Sequence, residues 1–292
     1  DFGKHSINAL IGMEAKKENG EHVQGYGRGL IIEDLDYRYL DAVTDGKDVS
    51  NNSSSYAMVS YFGKVNYAYD EKYLVSGTLR RDASSRFGNG NNSAIFPSVS
   101  AGWRISRENF METTSNWLSD LKLRASWGIN GNDMIDNSAT YSLYYVDMNT
   151  GSYNFSGDGK TLSPGVIKTM SGNNNLKWEQ TEQFNIGIDA AFLDNRLGVT
   201  MDYFKKKTKD MLIQKPYIAA IGEGGYKWYN AASMDNNGVE ATITWHDKIN
   251  DFNYEVAFNV SYYHNEITDL PEEVKYTWGG GDGISKTIIG QS

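Results

Sequence analysis

Hydrophobic and polar residues alternate along several stretches of this chain. Between Leu121 and Asn130, leucine, alanine, tryptophan and isoleucine occupy the odd positions, whereas polar residues and glycine occupy the even ones. Phe96–Ser106 and Phe252–Tyr263 show the same pattern. Successive residues of a β-strand point to opposite faces of a sheet, whereas a helix would scatter such residues around its axis. Each stretch is therefore predicted to be a strand with one apolar and one polar face.

Weaker alternation predicts six further strands and brings the total to nine. These six are Ser6–Lys17, Ser55–Tyr69, Tyr73–Arg81, Gln180–Phe192, Leu197–Lys207 and Asn237–His246. Most of the nine span about ten residues, which is the length that a tilted strand needs to cross a bilayer. Strands of soluble proteins average only about five to six residues. We therefore expect an all-β fold, an antiparallel meander that forms part of a large transmembrane β-barrel.

Connections of two lengths alternate between these strands. Tight turns are predicted at 69–72, 193–196 and 247–251, and long polar loops at 18–54, 82–95, 131–179, 211–236 and after Asn265. Membrane barrels have short periplasmic turns on one side and long extracellular loops on the other. Arg107–Asp120 is too long for a tight turn, and we expect it to form a short helical turn at the periplasmic rim.

The alternation also assigns side chains to the two faces of the sheet. The outer face is predicted to carry Val99, Ala101, Trp103, Leu123, Ala125, Trp127, Val256, Phe258 and Val260, and the opposite face Ser100, Arg104, Lys122, Arg124, Glu255 and Asn259. Lipid offers no hydrogen-bonding partner, so outward side chains must be apolar. Aromatic residues near strand ends would form the interfacial girdles: Trp103, Trp127, Trp245, Tyr67, Tyr69, Tyr73 and Phe192.

Composition supports a strand-rich chain and argues against several other classes of protein. The 292 residues include 30 Gly and 20 Tyr but 4 Pro and no Cys, which leaves no disulfide or thiolate metal site within the sequence. The net charge of −9 argues against nucleic-acid binding. The one basic cluster, Lys205–Lys207 with Lys209, is interpreted as a solvated strand end. The mean hydropathy of −0.55 carries little information, because a barrel spreads its apolar residues over alternate positions.

Enzymatic and cofactor chemistry finds no support in the residue pattern. The four histidines are scattered without zinc-site spacing, and the glycine-rich segments do not open a helix after a buried strand. We therefore expect no catalytic residues, no metal site and no cofactor. The acidic residues expected on the inward face, Glu182, Asp189, Asp202, Glu240 and Glu255, could be compared with the paired acids of a glycosidase. Their distribution over many strands fits a wetted lumen better.

Several segments resemble the barrel of the SusC/RagA family of TonB-dependent outer-membrane transporters. They are Tyr61–Asp70, Arg80–Gly88, Phe96–Arg104, Leu121–Asn132, Asn175–Thr181 and Asn237–Glu240, in this order and spacing. The resemblance covers nearly the whole chain except its long loops. It implies a location in the bacterial cell outer membrane, in contact with outer-membrane lipid, and a barrel of about 22 strands around an internal plug.

The resemblance further implies import of oligosaccharides or peptides, energised by TonB, with a SusD-like lipoprotein as a lid. No TonB box, plug domain or terminal aromatic strand is recognisable. We therefore expect residues 1–292 to be a partial transmembrane β-barrel domain, with the plug and the remaining strands outside this sequence.

Aromatic side chains in the long loops are the candidate contacts for cargo or lid. They are Tyr144, Tyr145, Tyr153, Trp228, Tyr229 and Trp278. Such rings can stack on sugars, and extracellular loops often carry function, but the same rings can also pack the loops together. Two other classes of protein remain open at this stage: a soluble or surface-exposed β-rich carbohydrate-binding protein or adhesin, and a glycoside-active enzyme with a β-sandwich.

Overall fold

A computed structural model describes residues 2–32, 34–147, 154, 157, 163, 165–216 and 225–271. Within them, eleven strands form one sheet. The strands are β1 (His5–Leu30), β2 (Val43–Tyr69), β3 (Tyr73–Ser84), β4 (Ser93–Arg104), β5 (Leu118–Asn132), β6 (Leu143–Asp147), β7 (Gly165–Met170), β8 (Glu179–Phe192), β9 (Leu197–Pro216), β10 (Tyr226–Ile249) and β11 (Phe252–Asp269). Among these residues no helix is long and apolar enough to span a membrane.

Nine of the strands form the antiparallel meander that the alternation predicts. β1 to β5 pair in chain order, β5 pairs with β8, and β8 to β11 continue in order. The two strands that the sequence did not reveal, β6 and β7, form a hairpin inside the predicted loop 131–179. This hairpin joins the sheet through one parallel pair, Met170 with Tyr226 of β10. The predicted count of nine is therefore two short, while the architecture is confirmed.

Short and long connections lie on opposite edges of the sheet, named here the turn edge and the loop edge. The β2–β3 connection is a tight turn in which Asp70 and Glu71 both have positive φ, 53° and 51°. Paired positive φ values give the backbone twist that a short hairpin requires. The turn between β4 and β5 contains two 3-10 segments, Ile105–Arg107 and Asn109–Thr114, which confirms the expected short helical turn.

Two of the predicted long loops are mostly strand. β1 and β2 stay paired from His5↔Tyr69 to Leu30↔Val43, so the predicted loop 18–54 shortens to 31–42, with short 3-10 segments at Leu35–Tyr37 and Leu40–Ala42. β9 and β10 likewise extend through most of the predicted loop 211–236. Beyond the bilayer, side chains on both faces can be polar while the backbone ladder continues, so alternation ends before the strand does.

The buried apolar core lies at the loop edge and not within the sheet. We name it the loop core; its buried members, among the residues that the structure describes, are Phe87, Phe96, Ile135, Ala139, Leu176 and Trp178. The Trp178 ring lies 5.4 Å, centre to centre, from the rings of Phe87 and of Phe96. Its indole N–H donates to the Asn92 carbonyl at 3.1 Å. The connections β3–β4 and β5–β8 are therefore packed together as one layer.

Candidate functional site

One face of the sheet exposes a continuous apolar surface, named here the apolar face. Cross-strand pairs place Val99 beside Trp127 and Ile243 beside Phe258, each on this face. Ile11 is 91% exposed and Tyr262 71% exposed. Soluble monomers rarely expose apolar patches larger than a few hundred Å². A sheet with this face needs an apolar environment, which rules out a soluble sandwich or adhesin of the kind considered from sequence.

The strand register confirms the predicted division of side chains between the two faces. The pairs Ala101↔Ala125 and Ala241↔Val260 lie on the apolar face, and Ser100↔Ser126 and Thr242↔Asn259 lie on the opposite, polar face. One assignment is wrong. Glu182 was expected to face inward, but it pairs with Ile129 on the apolar face, where its carboxylate accepts a hydrogen bond from the Trp127 indole N–H at 2.9 Å.

Aromatic residues meet a carboxylate at the turn edge. The Tyr73 hydroxyl donates to Glu108 at 2.6 Å, and the Trp103 indole N–H donates to the same oxygen at 3.1 Å. These two hydrogen bonds, with the nearby Lys72 ammonium, hold the pKa of Glu108 below its usual value. Tyr73 also stacks on Tyr69. Rings with one polar end suit the boundary between lipid and water.

On the polar face, Arg124 ties three strands together. Its Nε lies 3.1 and 3.2 Å from the two carboxylate oxygens of Asp189 on β8, and its Nη2 lies 2.6 Å from Asp202 on β9. Gly187 makes room for this arrangement, because a Cβ there would lie 2.8 Å from the guanidinium carbon. The network borders a groove of about 400 Å³ whose lining combines apolar residues with polar ones, among them Ser100, Lys122 and Asn185. This face suits contact with water or with another polar protein surface.

The inward acids lie on four neighbouring strands, and Glu240 of β10 is the cross-strand neighbour of Asp202 on β9. Asp189 and Asp202 are both bound to Arg124. Glu240 and Glu255 lie on β10 and β11 and are exposed. In the part of the chain that the structure describes, no group of three or more His, Asp or Glu residues is placed to hold a metal ion.

A second charged network anchors the loop layer at the loop edge. Asp133 accepts hydrogen bonds from the Ser84 hydroxyl at 2.7 Å and the Tyr56 hydroxyl at 3.0 Å. Arg86 donates to the Asp133 carbonyl at 3.1 Å and to Asn137 at 2.8 Å. Tyr56 lies beyond the lipid-facing stretch of β2 and is 7% exposed. Burial, followed by the hydrogen bond to Asp133, raises the pKa of Tyr56 to about 12.

The structure separates the candidate loop aromatics into different environments. Tyr144 and Tyr145 lie on β6 and are 62% and 59% exposed. Trp228 on β10 packs against the loop core. The Tyr229 ring lies 4.6 Å from the Lys215 ammonium and 5.4 Å from that of Lys227. Tyr153 and Trp278 lie outside the described residues.

Sequence reasoning did not assign roles to Arg86, Asp133, Leu176 and Trp178, which organise the loop layer. Arg86, Leu176 and Trp178 lie within segments that carry the family resemblance, but no periodicity marks them. One sequence feature could have pointed to this layer. Leu176 and Trp178 are two large apolar residues in a polar stretch immediately before a strand. An isolated apolar pair of this kind indicates a small core beneath a long loop.

Comparison with known proteins agrees with this geometry. A model of the family described as "TonB dependent receptor-like, beta-barrel" matches residues 7–287. The chain belongs to this family. It is 36% identical to TonB-dependent receptor SusC of Bacteroides thetaiotaomicron over 289 residues, which cover 98% of this chain and 28% of that protein. It is 35% identical to TonB-dependent receptor P3 of Formosa agariphila, over 93% of this chain and 26% of that protein.

Solved structures show the same fold. The structure of the RagAB peptide transporter superposes with a TM-score of 0.80 at 30% identity, over 98% of this chain and 31% of that chain. The apolar face is therefore the lipid-facing side of an outer-membrane barrel wall of SusC type, and the loop edge is its extracellular end. The relatives are receptors and transporters, not enzymes. The chain spans between a quarter and a third of the length of these relatives.

Proposed function

We propose that residues 1–292 form one segment of a larger barrel whose full-length receptor imports oligosaccharides or peptides across the outer membrane. Import is energised by TonB, and a SusD-like lipoprotein covers the extracellular mouth. Two similar proteins support the proposal: SusC of Bacteroides thetaiotaomicron is a TonB-dependent receptor, and RagAB is a peptide transporter.

The observation that carries the proposal is the exposed aromatic hairpin β6–β7, which is attached to a packed base. Tyr144 and Tyr145 stand more than half exposed on β6, so both rings are accessible to a partner. The hairpin joins β10 through Met170, which is 1% exposed. Asn173, close behind it, donates to the Trp228 carbonyl at 2.8 Å. A buried attachment holds the exposed rings in place, as a binding surface requires.

Trp228 and Tyr229 have different roles in this proposal. Trp228 supports the surface from below, because it packs against the loop core. Tyr229, flanked by two lysines, contributes a ring and positive charge beside the mouth. Tyr153 and Trp278 are proposed as further contacts from their sequence positions.

The test is uptake by the full-length receptor, expressed with its lipoprotein, after the double change Tyr144→Ala and Tyr145→Ala. We expect growth on the preferred oligosaccharide or peptide mixture, and binding of labelled cargo, to fall at least tenfold while barrel insertion is unchanged. The control is Tyr39→Ala, which removes a ring that is 67% exposed on the β1–β2 connection. Unchanged cargo binding and unchanged lipoprotein association in the double variant would contradict the role of the hairpin. Separate arms with oligosaccharides and with peptides identify the cargo class.

A further inference from the structure

Three lysines form a column on the lipid-facing side of β9. Lys205, Lys207 and Lys209 occupy alternate positions and are exposed, and they continue the row of Met201 and Tyr203 on the apolar face. The even-numbered residues of this stretch point to the polar face, and two of them, Phe204 and Thr208, are buried. The interpretation of this cluster as a strand end is wrong, because β9 continues to Pro216. The three outward lysines point towards the membrane side. We name these three residues the lysine column.

The lysine column lies at the outer boundary of the hydrocarbon layer. β9 leaves the turn edge at Leu197, and its outward residues are apolar up to Tyr203. A tilted strand needs about 9 to 11 residues to cross the bilayer, so β9 leaves the hydrocarbon layer near Lys205 and Lys207. Lysine stems lie along apolar surface while the ammonium groups reach the headgroups.

The three ammonium groups have no carboxylate partner in the chain as far as the structure describes it. Glu182 and Asp235 are the cross-strand neighbours of Lys207 on the same face. Neither forms an ion pair with it, and Glu182 instead accepts the Trp127 indole N–H. Positive charge at this depth thus remains available to an external anion.

An apolar groove begins directly below the lysine column. It has a volume of about 430 Å³ and is lined mainly by Leu123, Ile188, Met201, Tyr203, Val239 and Val260. Met201 and Tyr203 belong to β9, so the groove and the column share one strand. Because lipid surrounds this face, the occupant of the groove is a hydrocarbon chain.

We propose that this surface is a binding site for a phosphorylated, multiply acylated glycolipid of the outer leaflet. A phosphate lies against Lys205 and Lys207, and an acyl chain lies in the groove. The lysines favour a negatively charged headgroup, and the apolar groove beside them on the same strand favours an acyl chain. A lipid that carries both a phosphate and acyl chains therefore fits this surface. The proposal concerns the membrane side of the barrel and is independent of cargo and lid.

The test is titration of the full-length receptor, delipidated and placed in phosphatidylcholine nanodiscs, with bis-phosphorylated lipid A. We expect saturable binding that the double variant Lys205→Gln, Lys207→Gln weakens about thirtyfold, since each lysine near an anionic lipid surface contributes roughly a factor of five. The charge-matched control is Lys17→Gln with Lys206→Gln. Lys17 is outward on β1, far from the groove, and Lys206 faces inward. This control should bind lipid A as the wild type does.

A second pair of variants tests the groove itself. Ala241→Phe fills the groove and should weaken binding, whereas Ala190→Phe, on the same face but outside the groove lining, should not. The proposal is overturned if the lysine double variant retains wild-type affinity, or if the charge-matched control loses as much. Equal affinity for phosphatidylglycerol or for dephosphorylated lipid A would also overturn it.

Discussion

The guanidinium carbon of Arg86 lies 4.0 Å from the centre of the Tyr56 ring, and both side chains converge on Asp133. The contact joins β2, the β3–β4 connection and the residues that follow β5. It is a cation–π interaction reinforced by an ion pair, and partial burial strengthens both. The extracellular loops are thereby attached to the barrel wall at a defined point.

The raised pKa of Tyr56 predicts a change in stability at alkaline pH. The folded state favours the neutral phenol, so the stabilisation is complete below the ordinary tyrosine pKa of about 10 and is lost as pH rises through about 12. Tyr56→Phe should lower the free energy of unfolding by about 1 kcal/mol at pH 8, because one hydrogen bond is lost. A pKa raised from 10 to about 12 corresponds to roughly 2.7 kcal/mol, which exceeds the hydrogen bond that the variant loses. The difference between the two proteins should therefore fall to zero at about pH 11 and reverse in sign above it, where Tyr56→Phe becomes the more stable protein.

Urea unfolding of the full-length receptor in detergent at pH 8, 10 and 11.5 measures this difference, with wild type and variant compared at each pH. The other tyrosines are the same in both proteins, so their effects on stability cancel when the two free energies of unfolding are subtracted. A gap that stays constant across this range would show that Tyr56 does not ionise with the altered pKa.

The Arg124 network on the polar face should stabilise the barrel more than exposed ion pairs do. Arg124→Met leaves Asp202 without its partner and leaves Asp189 with only the Lys122 ammonium, 3.9 Å away. The change should cost about 1–2 kcal/mol, since the side chains of Arg124, Asp189 and Asp202 are about one-fifth to one-third exposed and solvent screens them in part. Adding Asp202→Asn should recover part of this loss, because it removes one uncompensated charge. Chemical unfolding in detergent gives both values.

Arg107→Ala is the matched control for this experiment. Its guanidinium also lies 2.6 Å from a carboxylate, that of Glu71, but these side chains are 47% and 68% exposed. An exposed pair contributes about 0–1 kcal/mol. If Arg107→Ala and Arg124→Met lowered the free energy of unfolding equally, partial burial and two partners would not be the reason why the Arg124 network stabilises the barrel.

Trp178 should determine whether the loop layer stays packed. Trp178→Ala removes a buried ring from contact with Phe87 and Phe96 and deletes a hydrogen bond to Asn92, at a cost of about 3–5 kcal/mol. Because this core lies outside the sheet, the loss should appear as faster hydrogen exchange in 85–92 and 133–142 and not as failed insertion. Trp117→Ala, which removes a half-exposed ring at the turn edge, should leave these segments protected.

The sequence predicts the membrane-crossing parts of this fold well and the extracellular parts poorly, for a physical reason. Lipid forces outward residues of β4, β5 and β11 to be apolar, and this alternation can be read directly. Above the bilayer, Asn19 still pairs with Ser55, but polar residues on both faces leave no periodicity. Glu182 was misassigned because its charge suggested the lumen, whereas its position two residues before Phe184 places it on the apolar face near the boundary.

The candidate site, too, could be predicted from the sequence only in part. Tyr144 and Tyr145 are exposed, and their contact role stays a prediction. No sequence pattern shows that β6 and β7 form a hairpin or that Trp228 packs on the loop core. Those features depend on contacts between segments far apart in sequence, such as Asn173 with Trp228. The local preferences of residues for strand or turn do not reveal such contacts.

The hairpin can be removed without disturbing the wall, and this gives the sharpest test of loop function. Whole-loop deletions of 131–179 or 211–236 would also remove Leu176, Trp178 and the upper parts of β9 and β10. Replacing 143–170 with a short Gly-Ser linker spares all of these. Barrel insertion, followed by heat-modifiable gel migration, should match the wild type, because the nine-strand meander is intact. Uptake or lipoprotein association should fall at least tenfold. If insertion and both activities were unchanged, the hairpin would be a passive element, and cargo contacts would have to lie elsewhere in the receptor.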